Sequence, residues 1–146
     1  MITHLTKYNY RGIHTGTGEP NHITKIIYKA KLLNSKVHTF VLANIMFNQL
    51  KNINIDLLIH CEPTKAKNNL PGRLAYELAL KLNIPFISIN YVNLKAIQNK
   101  NVLIIDDVIT TGKTMNKAIE IVNYFAPKNI YTLAAAITKN AILNTS

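Results

Sequence analysis

The sequence has a single cysteine, no apolar run long enough to cross a membrane, and few acidic residues. Because Cys61 is alone, an intrachain disulfide and a zinc site built on several cysteines are excluded. The apolar runs are far shorter than the roughly 20 residues of a membrane helix. Residues 1–12 also lack the apolar segment of a signal peptide. We therefore expect a cytoplasmic protein with no membrane partner.

Negative charge is scarce, since 17 lysines and arginines stand against seven aspartates and glutamates, a formal net charge of +10. Such an excess could attract nucleic acid, an anionic membrane surface or a small polyanionic substrate. Nearly all the basic residues are lysine, and they accompany abundant Asn and Ile, a mixture that an AT-rich coding sequence would also produce. The lysines form no single block, so no basic tail is predicted. Nucleic acid stays a candidate partner.

What the chain does contain is the composition of one globular domain. Its 146 residues are 48% hydrophobic and 16% charged, which is unlike a disordered chain of low hydrophobicity and high charge. No repeat, low-complexity segment or linker divides the sequence. We therefore predict that residues 1–146 form a single domain.

Apolar runs typical of strands alternate along the chain with segments of helical periodicity. Helices are predicted over about residues 21–33, 38–50, 71–82 and 114–125, and buried strands over residues 55–60, 84–89, 102–106 and 130–137. Because parallel strands need crossover connections and are covered on both faces, this order predicts an α/β fold. We expect a parallel sheet of about four to five strands flanked by helices. Ligands bind such sheets beyond the carboxyl ends of the strands, here near residues 61–69 and 106–114.

The stretch "NVLIIDDVITTGKT" ends with the Gly-Lys-Thr of an ATP-binding P-loop. A P-loop also requires a glycine five residues before Gly112, so that backbone N–H groups can surround the phosphates. Asp107 stands at that position and Asp106 precedes it, and two carboxylates would repel the ligand. The Thr-Thr-Gly turn and the start of the following helix instead predict a monophosphate pocket, since they offer hydroxyls, unpaired N–H groups and close backbone approach.

The two acids suit a different part of the same ligand. Carboxylates accept hydrogen bonds from neutral hydroxyls, such as the vicinal hydroxyls of a sugar, or help to hold a divalent metal. A sugar phosphate would satisfy both the acids and the turn. An acid pair after a strand is by itself most often a solvated strand end, and it gains weight here from the Thr-Thr-Gly that follows.

Residues 102–114, "VLIIDDVITTGKT", closely resemble the phosphoribosyl-pyrophosphate motif of the type I phosphoribosyltransferases. That motif has four apolar residues, two acids, two apolar residues, Thr-Thr-Gly, one variable residue, and Thr or Ser. The resemblance implies an α/β core, here residues 51–146, preceded by a largely helical hood, here residues 1–50. Within the family, "ITKIIYKAKL" and "PGRLAYELALKLNIP" are similar to parts of the competence-protein-F branch, although "AKNNLPGR" does not match that branch's Arg-Gly-Phe-Asn-Gln signature.

The resemblance also implies an activity and the residues that perform it. The activity is transfer of ribose 5-phosphate from phosphoribosyl pyrophosphate to a nitrogen nucleophile, a nucleobase or an amine, with release of pyrophosphate and a requirement for Mg²⁺. Asp106 and Asp107 would be the catalytic residues, holding the ribose hydroxyls directly or through Mg²⁺. The 5-phosphate would bind Thr110, Thr111, Gly112, Lys113 and Thr114. Pyrophosphate would bind the loop after the first core strand, where the candidates are Cys61, Glu62, Lys65, Lys67 and Arg73.

Plainer explanations stand beside some of these assignments. Lysines in a surface loop are most often only solvated. Cys61 has no His-Asp partner placed by the sequence, so we expect it to pack in the loop and not to act as a nucleophile. His60 is expected to be structural or incidental, since no ligand spacing surrounds it.

An alternative function follows from the segment between the strands at residues 84 and 102. The family often carries a long mobile loop there, which closes over the substrate, whereas this chain offers only about residues 90–100. The alternative is a non-catalytic regulator of the same fold that binds phosphoribosyl pyrophosphate or a nucleotide and contacts nucleic acid. Homodimers are common in the family, so a second copy of the chain is a further candidate partner.

Overall fold

A computed structural model describes residues 2–4, 22–63 and 69–137. Within these residues five strands form one sheet: β1 (Ile2–His4), β2 (Leu57–His60), β3 (Phe86–Ser88), β4 (Asn101–Ile109) and β5 (Asn129–Ile137). Their order across the sheet is β1-β5-β4-β2-β3, and each neighbouring pair is parallel. The predicted α/β class and parallel sheet are confirmed.

The described helices cover both faces of this sheet. They are α1 (His22–Leu32), α2 (Lys36–Phe47), α3 (Leu70–Leu82), α4 (Leu94–Ile97) and α5 (Lys113–Tyr124). One buried cluster joins α1, α2 and α3 to the sheet, and a second cluster joins α4 and α5 to it. Side-chain oxygens of Ser35, Asn69 and Asn93 accept N–H groups at the starts of α2, α3 and α4, which fixes where these helices begin.

The helices of the predicted hood are part of the main core. Ile26 and Ala30 of α1 and Leu42 of α2 are buried in the same cluster as Leu103 of β4 and Leu133 of β5. That the whole chain is one domain stays a prediction. Among the described helices, none combines the length and apolar character needed to cross a bilayer.

The strand β1 and the helix α4 were not predicted. The short strand β1 pairs with β5, with Ile2 opposite Ile130, and a three-residue strand carries too little pattern to be read from sequence. Residues 90–100 contain the single helical turn α4, whose Ile97 is fully buried. The segment between β3 and β4 is therefore anchored to the core.

Left-handed backbone recurs at the turns, and asparagine provides most of it. Asn34, Asn52, Asn83 and Asn99 all have positive φ, and Asn83 ends α3 with φ 54°. Asparagine tolerates this region better than other residues with a Cβ atom. These asparagines follow helical segments and let the chain turn there, although it has only five glycines.

Candidate functional site

The strand that carries the acid pair is longer than predicted. It continues to Ile109 because β5 pairs with it throughout, with Asp106 opposite Ala134 and Val108 opposite Ala136. Asp106 and Asp107 therefore lie inside a paired strand and expose only 9% and 8% of their surface. The interpretation of the pair as a solvated strand end is wrong.

The turn from β4 into α5 has a defined geometry. Gly112 precedes the helix with φ 92° and ψ −6°, a left-handed conformation that favours glycine. The hydroxyl of Thr111 accepts the N–H of Lys113 at 3.3 Å, and the carbonyl of Gly112 accepts the N–H of Asn116 at 2.8 Å. The first turn of α5 is thereby fixed, and its remaining N–H groups lack helical partners, which suits an anion.

Most of the residues predicted to hold the sugar phosphate surround one small cavity of about 30 Å³. It is lined by Asp106, Thr110, Thr111, Gly112 and Thr114, together with three apolar residues. Lys113 is exposed at the start of α5. Such a volume has room for a group of only a few atoms. The structure thus brings one of the two acids and four residues of the turn into the lining of a single cavity.

The carboxylate of Asp106 is held in a setting that disfavours its charge. Its Oδ1 accepts the N–H of Asp107 at 2.8 Å. Burial raises the pKa of Asp106 well above its ordinary value, the neighbouring charge of Asp107 raises it further, and the charge of Lys31 acts in the opposite direction. A cation or hydrogen-bond donor placed here would therefore be stabilised.

Asp107 contacts a helix that the motif does not include. Its Oδ1 accepts the N–H of Val108 at 2.7 Å, and its Oδ2 lies 3.4 Å from Nζ of Lys31 on α1. The sequence did not single out Lys31. The only signal was the stretch "ITKIIYKAKL", in which Lys25, Lys29 and Lys31 cannot be told apart before the docking of α1 is known.

The loop after β2 begins with a residue whose groups are already engaged. The N–H of Cys61 donates to the carbonyl of Ile105 at 3.0 Å, and the carbonyl of Cys61 lies 3.1 Å from Nδ1 of His60. Its thiol is buried in the core. Burial raises the pKa of Cys61, and the charges of Asp106, Asp107 and Glu62 add to this effect. The thiol is therefore neutral at physiological pH and is not an activated nucleophile.

Glu62, the next residue of this loop, faces neighbouring protein groups. Its Oε1 lies 3.8 Å from Nδ1 of His60, and its Oε2 lies 3.5 Å from Nδ2 of Asn69. Lys65 and Lys67 lie outside the described residues. A pyrophosphate role for this loop stays a prediction.

Arg73 joins three helices on one side of the sheet. Its Nη1 donates to Oγ1 of Thr39 on α2, and its Nη2 donates to the carbonyl of Ala30 on α1, both at 2.8 Å. Its Nε is buried without a partner among the described residues, and burial lowers the pKa of Arg73. Arg73 lines a separate cavity of about 500 Å³ with residues that include Lys36, His60, Tyr76 and Phe86.

The donor set at the acid pair fits Mg²⁺ when a ligand completes it. Carboxylate oxygens are the hard donors that Mg²⁺ prefers. No group of three or more His, Cys, Asp or Glu side chains in the described ranges is arranged to hold a metal. Mg²⁺ is commonly held by one or two carboxylates together with substrate phosphates, and Asp106 and Asp107 match that pattern.

Several solved structures have a similar fold. A purine phosphoribosyltransferase from Pyrococcus horikoshii is similar, with a TM-score of 0.56, 22% identity, and coverage of 70% of this chain and 75% of the other. The adenine phosphoribosyltransferase (APRTase) from Giardia lamblia has a TM-score of 0.57, 13% identity, and coverage of 88% and 93%. UMP synthase from Leishmania donovani has a TM-score of 0.58 and 15% identity over 90% of this chain, which spans only 33% of that protein.

Comparison of the sequence with family profiles identifies the family. No match is found among curated protein sequences. The family profile described as "Phosphoribosyl transferase domain" matches residues 37–142, which is more than half of the chain and includes both the acid pair and the turn. The predicted resemblance is thus confirmed at the level of the family, and the competence-protein-F branch stays a prediction. The chain belongs to the phosphoribosyl transferase domain family.

Proposed function

We propose that the protein binds phosphoribosyl pyrophosphate at the carboxyl end of β4 and transfers its ribose 5-phosphate to a nitrogen nucleophile. The acceptor is a nucleobase or an amine, and pyrophosphate is released. The observation that carries this proposal is the shared cavity of Asp106 and the Thr110, Thr111, Gly112 and Thr114 turn. The acid pair near the end of β4 and the turn that follows it are neighbours, an arrangement that suits the hydroxyl groups and the 5-phosphate of one ribose 5-phosphate.

The residues of the chain mainly position the ligand. The N–H groups and hydroxyls of residues 110–114 hold the 5-phosphate, and Asp106 and Asp107 accept hydrogen bonds from the ribose hydroxyls. Asp106 and Asp107 would hold Mg²⁺ together with the ligand, and the metal would supply positive charge that stabilises the departing pyrophosphate. The bond between C1 of the ribose and the pyrophosphate oxygen breaks, and its electron pair stays on that oxygen. The acceptor nitrogen forms the new bond to C1, and the proton on that nitrogen passes to solvent. Positioning and electrostatic stabilisation account for most of such catalysis.

The direct test is release of pyrophosphate. The protein is mixed with phosphoribosyl pyrophosphate, Mg²⁺ and a panel of acceptors, and pyrophosphate is measured with and without each acceptor. The panel includes purines, pyrimidines and amines, since the solved relatives comprise a purine phosphoribosyltransferase and a UMP synthase. We expect acceptor-dependent release that is lost in Asp106→Asn. Binding of phosphoribosyl pyrophosphate without release across the panel would contradict an enzyme.

A non-catalytic regulator is the second candidate, and the segment between β3 and β4 favours it. Ile97 anchors this segment to the core, so residues 90–100 do not provide a long mobile loop over the ligand. The net charge of +10 would let such a regulator contact nucleic acid. Binding to nucleic acid should then fall steeply as salt rises. Absence of binding at low salt would remove this candidate.

The setting and assembly of the protein are part of the same proposal. We place its activity in the cytoplasm, where a phosphorylated sugar donor would be available, and we expect a homodimer, the commonest symmetric assembly of soluble proteins. Sedimentation at several protein concentrations measures the assembly. A single monomeric species throughout would contradict the dimer without affecting the assignment of the site.

A further inference from the structure

Lys31 places a positive charge on the acid pair from outside the motif. Its Nζ lies 3.4 Å from Oδ2 of Asp107, and its side chain is 53% exposed whereas that of Asp107 is 11% exposed. Lys31 lies in the last turn of α1. The contact therefore joins a helix of the N-terminal region to the carboxylate that we assign to the ribose.

The acid pair creates an electrostatic problem for the proposed ligand. Phosphoribosyl pyrophosphate carries several negative charges on its two phosphate groups, while Asp106 and Asp107 are adjacent, buried carboxylates. Negative charges of the ligand placed beside these carboxylates would be repelled, and the repulsion is strong where the effective dielectric constant is low. Positive charge at the pair would therefore favour binding of the ligand, and it has two sources: Mg²⁺ and the ammonium group of Lys31.

We propose that Lys31 is a positioning residue that supplies at Asp107 part of the positive charge that Mg²⁺ would otherwise supply, and thereby sets the Mg²⁺ requirement for binding phosphoribosyl pyrophosphate. This inference rests on the proposed function for the identity of the ligand. It gives Lys31 two opposite effects. Its charge favours the polyanionic ligand when metal is absent, and it competes with Mg²⁺ for Asp107 when metal is present.

Lys31→Met is the informative variant, because methionine keeps an apolar stem of similar length and removes the charge. Lys29→Met is the matched control, since Lys29 is an exposed lysine on the same helix and no ion pair of it is found within the described residues. Lys31→Arg restores the charge. Thermal unfolding of Lys29→Met and Lys31→Arg should match the wild type, whereas Lys31→Met, which removes the cation beside a largely buried carboxylate, should unfold at a lower temperature and still be folded under the conditions of the titrations.

The first measurement is calorimetric titration with phosphoribosyl pyrophosphate, in EDTA and again in saturating Mg²⁺. In EDTA we expect Lys31→Met to bind about fivefold more weakly than the wild type, which corresponds to about 1 kcal/mol. In Mg²⁺ the two should agree within about twofold, since the metal then supplies the charge. Lys31→Arg and Lys29→Met should follow the wild type in both conditions. Equal weakening in both, or no change in either, would overturn the inference.

The second measurement uses Mn²⁺ as a spectroscopic probe without any phosphoribosyl ligand. Removing a positive charge beside Asp107 should let Lys31→Met bind Mn²⁺ several-fold more tightly than the wild type, with Lys29→Met unchanged. If the wild type fails to bind phosphoribosyl pyrophosphate under either condition, the proposed function fails, and the Mn²⁺ titration still decides the role of Lys31. No gain in Mn²⁺ affinity by Lys31→Met would overturn that role.

Discussion

Nη2 of Arg73 donates a hydrogen bond to the carbonyl oxygen of Ala30, 2.8 Å away, and Ala30 immediately precedes Lys31. The same guanidinium donates from Nη1 to Thr39. Through these bonds the start of α3 holds the end of α1 and the start of α2. The position of Lys31 over Asp107 therefore depends on a residue beside the loop after β2, so the two loops at the carboxyl edge of the sheet are connected through α1.

Removing the side chain of Arg73 should destabilise the protein. Arg73→Met leaves the carbonyl of Ala30 and the buried hydroxyl of Thr39 without this donor, and we expect a loss of about 1–3 kcal/mol in the free energy of unfolding. Urea denaturation measures this loss. Arg73→Lys keeps the charge but cannot reproduce two divergent donors, so it should also be less stable. A stable Arg73→Lys with much weaker pyrophosphate binding would instead show that Arg73 serves the ligand.

Replacing Asp106 with Asn should stabilise the protein at neutral pH. The pKa of Asp106 is raised in the folded state, chiefly by burial, so its contribution to stability is greatest below the unfolded pKa of about 3.9 and is lost as pH rises through the folded pKa. Asparagine does not ionise, so the Asp106→Asn variant does not lose stability in this way as pH rises. We expect the free energy of unfolding to rise by about 0.5–2 kcal/mol at pH 7. This gain should shrink as pH falls toward about 4. Urea denaturation at several pH values measures the gain in stability. A gain that does not depend on pH would contradict a raised pKa of Asp106 in the folded protein.

The same Asp106→Asn variant should separate two ligands. Affinity for phosphoribosyl pyrophosphate with Mg²⁺ should fall by about 1–3 kcal/mol, because charge-assisted hydrogen bonds to the ribose are lost. Inorganic phosphate, which needs only the turn of residues 110–114, should bind as well or better, since a like charge has been removed. Calorimetry with both ligands decides this. Equal weakening of both would mean that the substitution had disturbed the turn.

Gly112→Ala should weaken phosphate binding through the backbone. A residue with a Cβ atom at φ 92° costs about 1–2 kcal/mol, and relief of this strain would move the N–H groups that face the phosphate. We expect lower affinity for ribose 5-phosphate by calorimetry. Gly72→Ala is the control, because its Cβ would lie 2.6 Å from Nδ2 of Asn69 and disturb the start of α3. Gly72→Ala should be less stable than the wild type and should keep its affinity for ribose 5-phosphate. Equal losses of affinity in the two variants would contradict the assignment of the 5-phosphate to the Gly112 turn.

The thiol of Cys61 should be almost inert in the native protein. Burial raises its pKa, with further contributions from nearby carboxylates, so the reactive thiolate is scarce at pH 8. A chromogenic disulfide reagent should react at least about tenfold more slowly with native protein than with protein in denaturant. Rapid reaction in the native state would show that the loop after β2 opens readily.

The part of the site that lies within one stretch of sequence could be predicted, and the part that depends on docking could not. The spacing of Asp106, the threonines and Gly112 predicted the turn because a strand, a turn and a helix start are local features. The length of β4 was underestimated, since pairing with β5 extends the strand past Asp107 and buries both acids. Lys31 and Arg73 act through contacts with residues far away in sequence, and no periodicity encodes such contacts.

Four of the many asparagines in this chain have a structural role, because they occupy backbone positions with positive φ. Abundant Asn is what an AT-rich coding sequence would produce, and Asn34, Asn52, Asn83 and Asn99 occupy left-handed positions that glycine usually fills. Asparagine there restricts the unfolded chain more than glycine would, so the entropy gained on unfolding is smaller. A drift in codon usage toward asparagine can thus be absorbed in part at the turns of this fold.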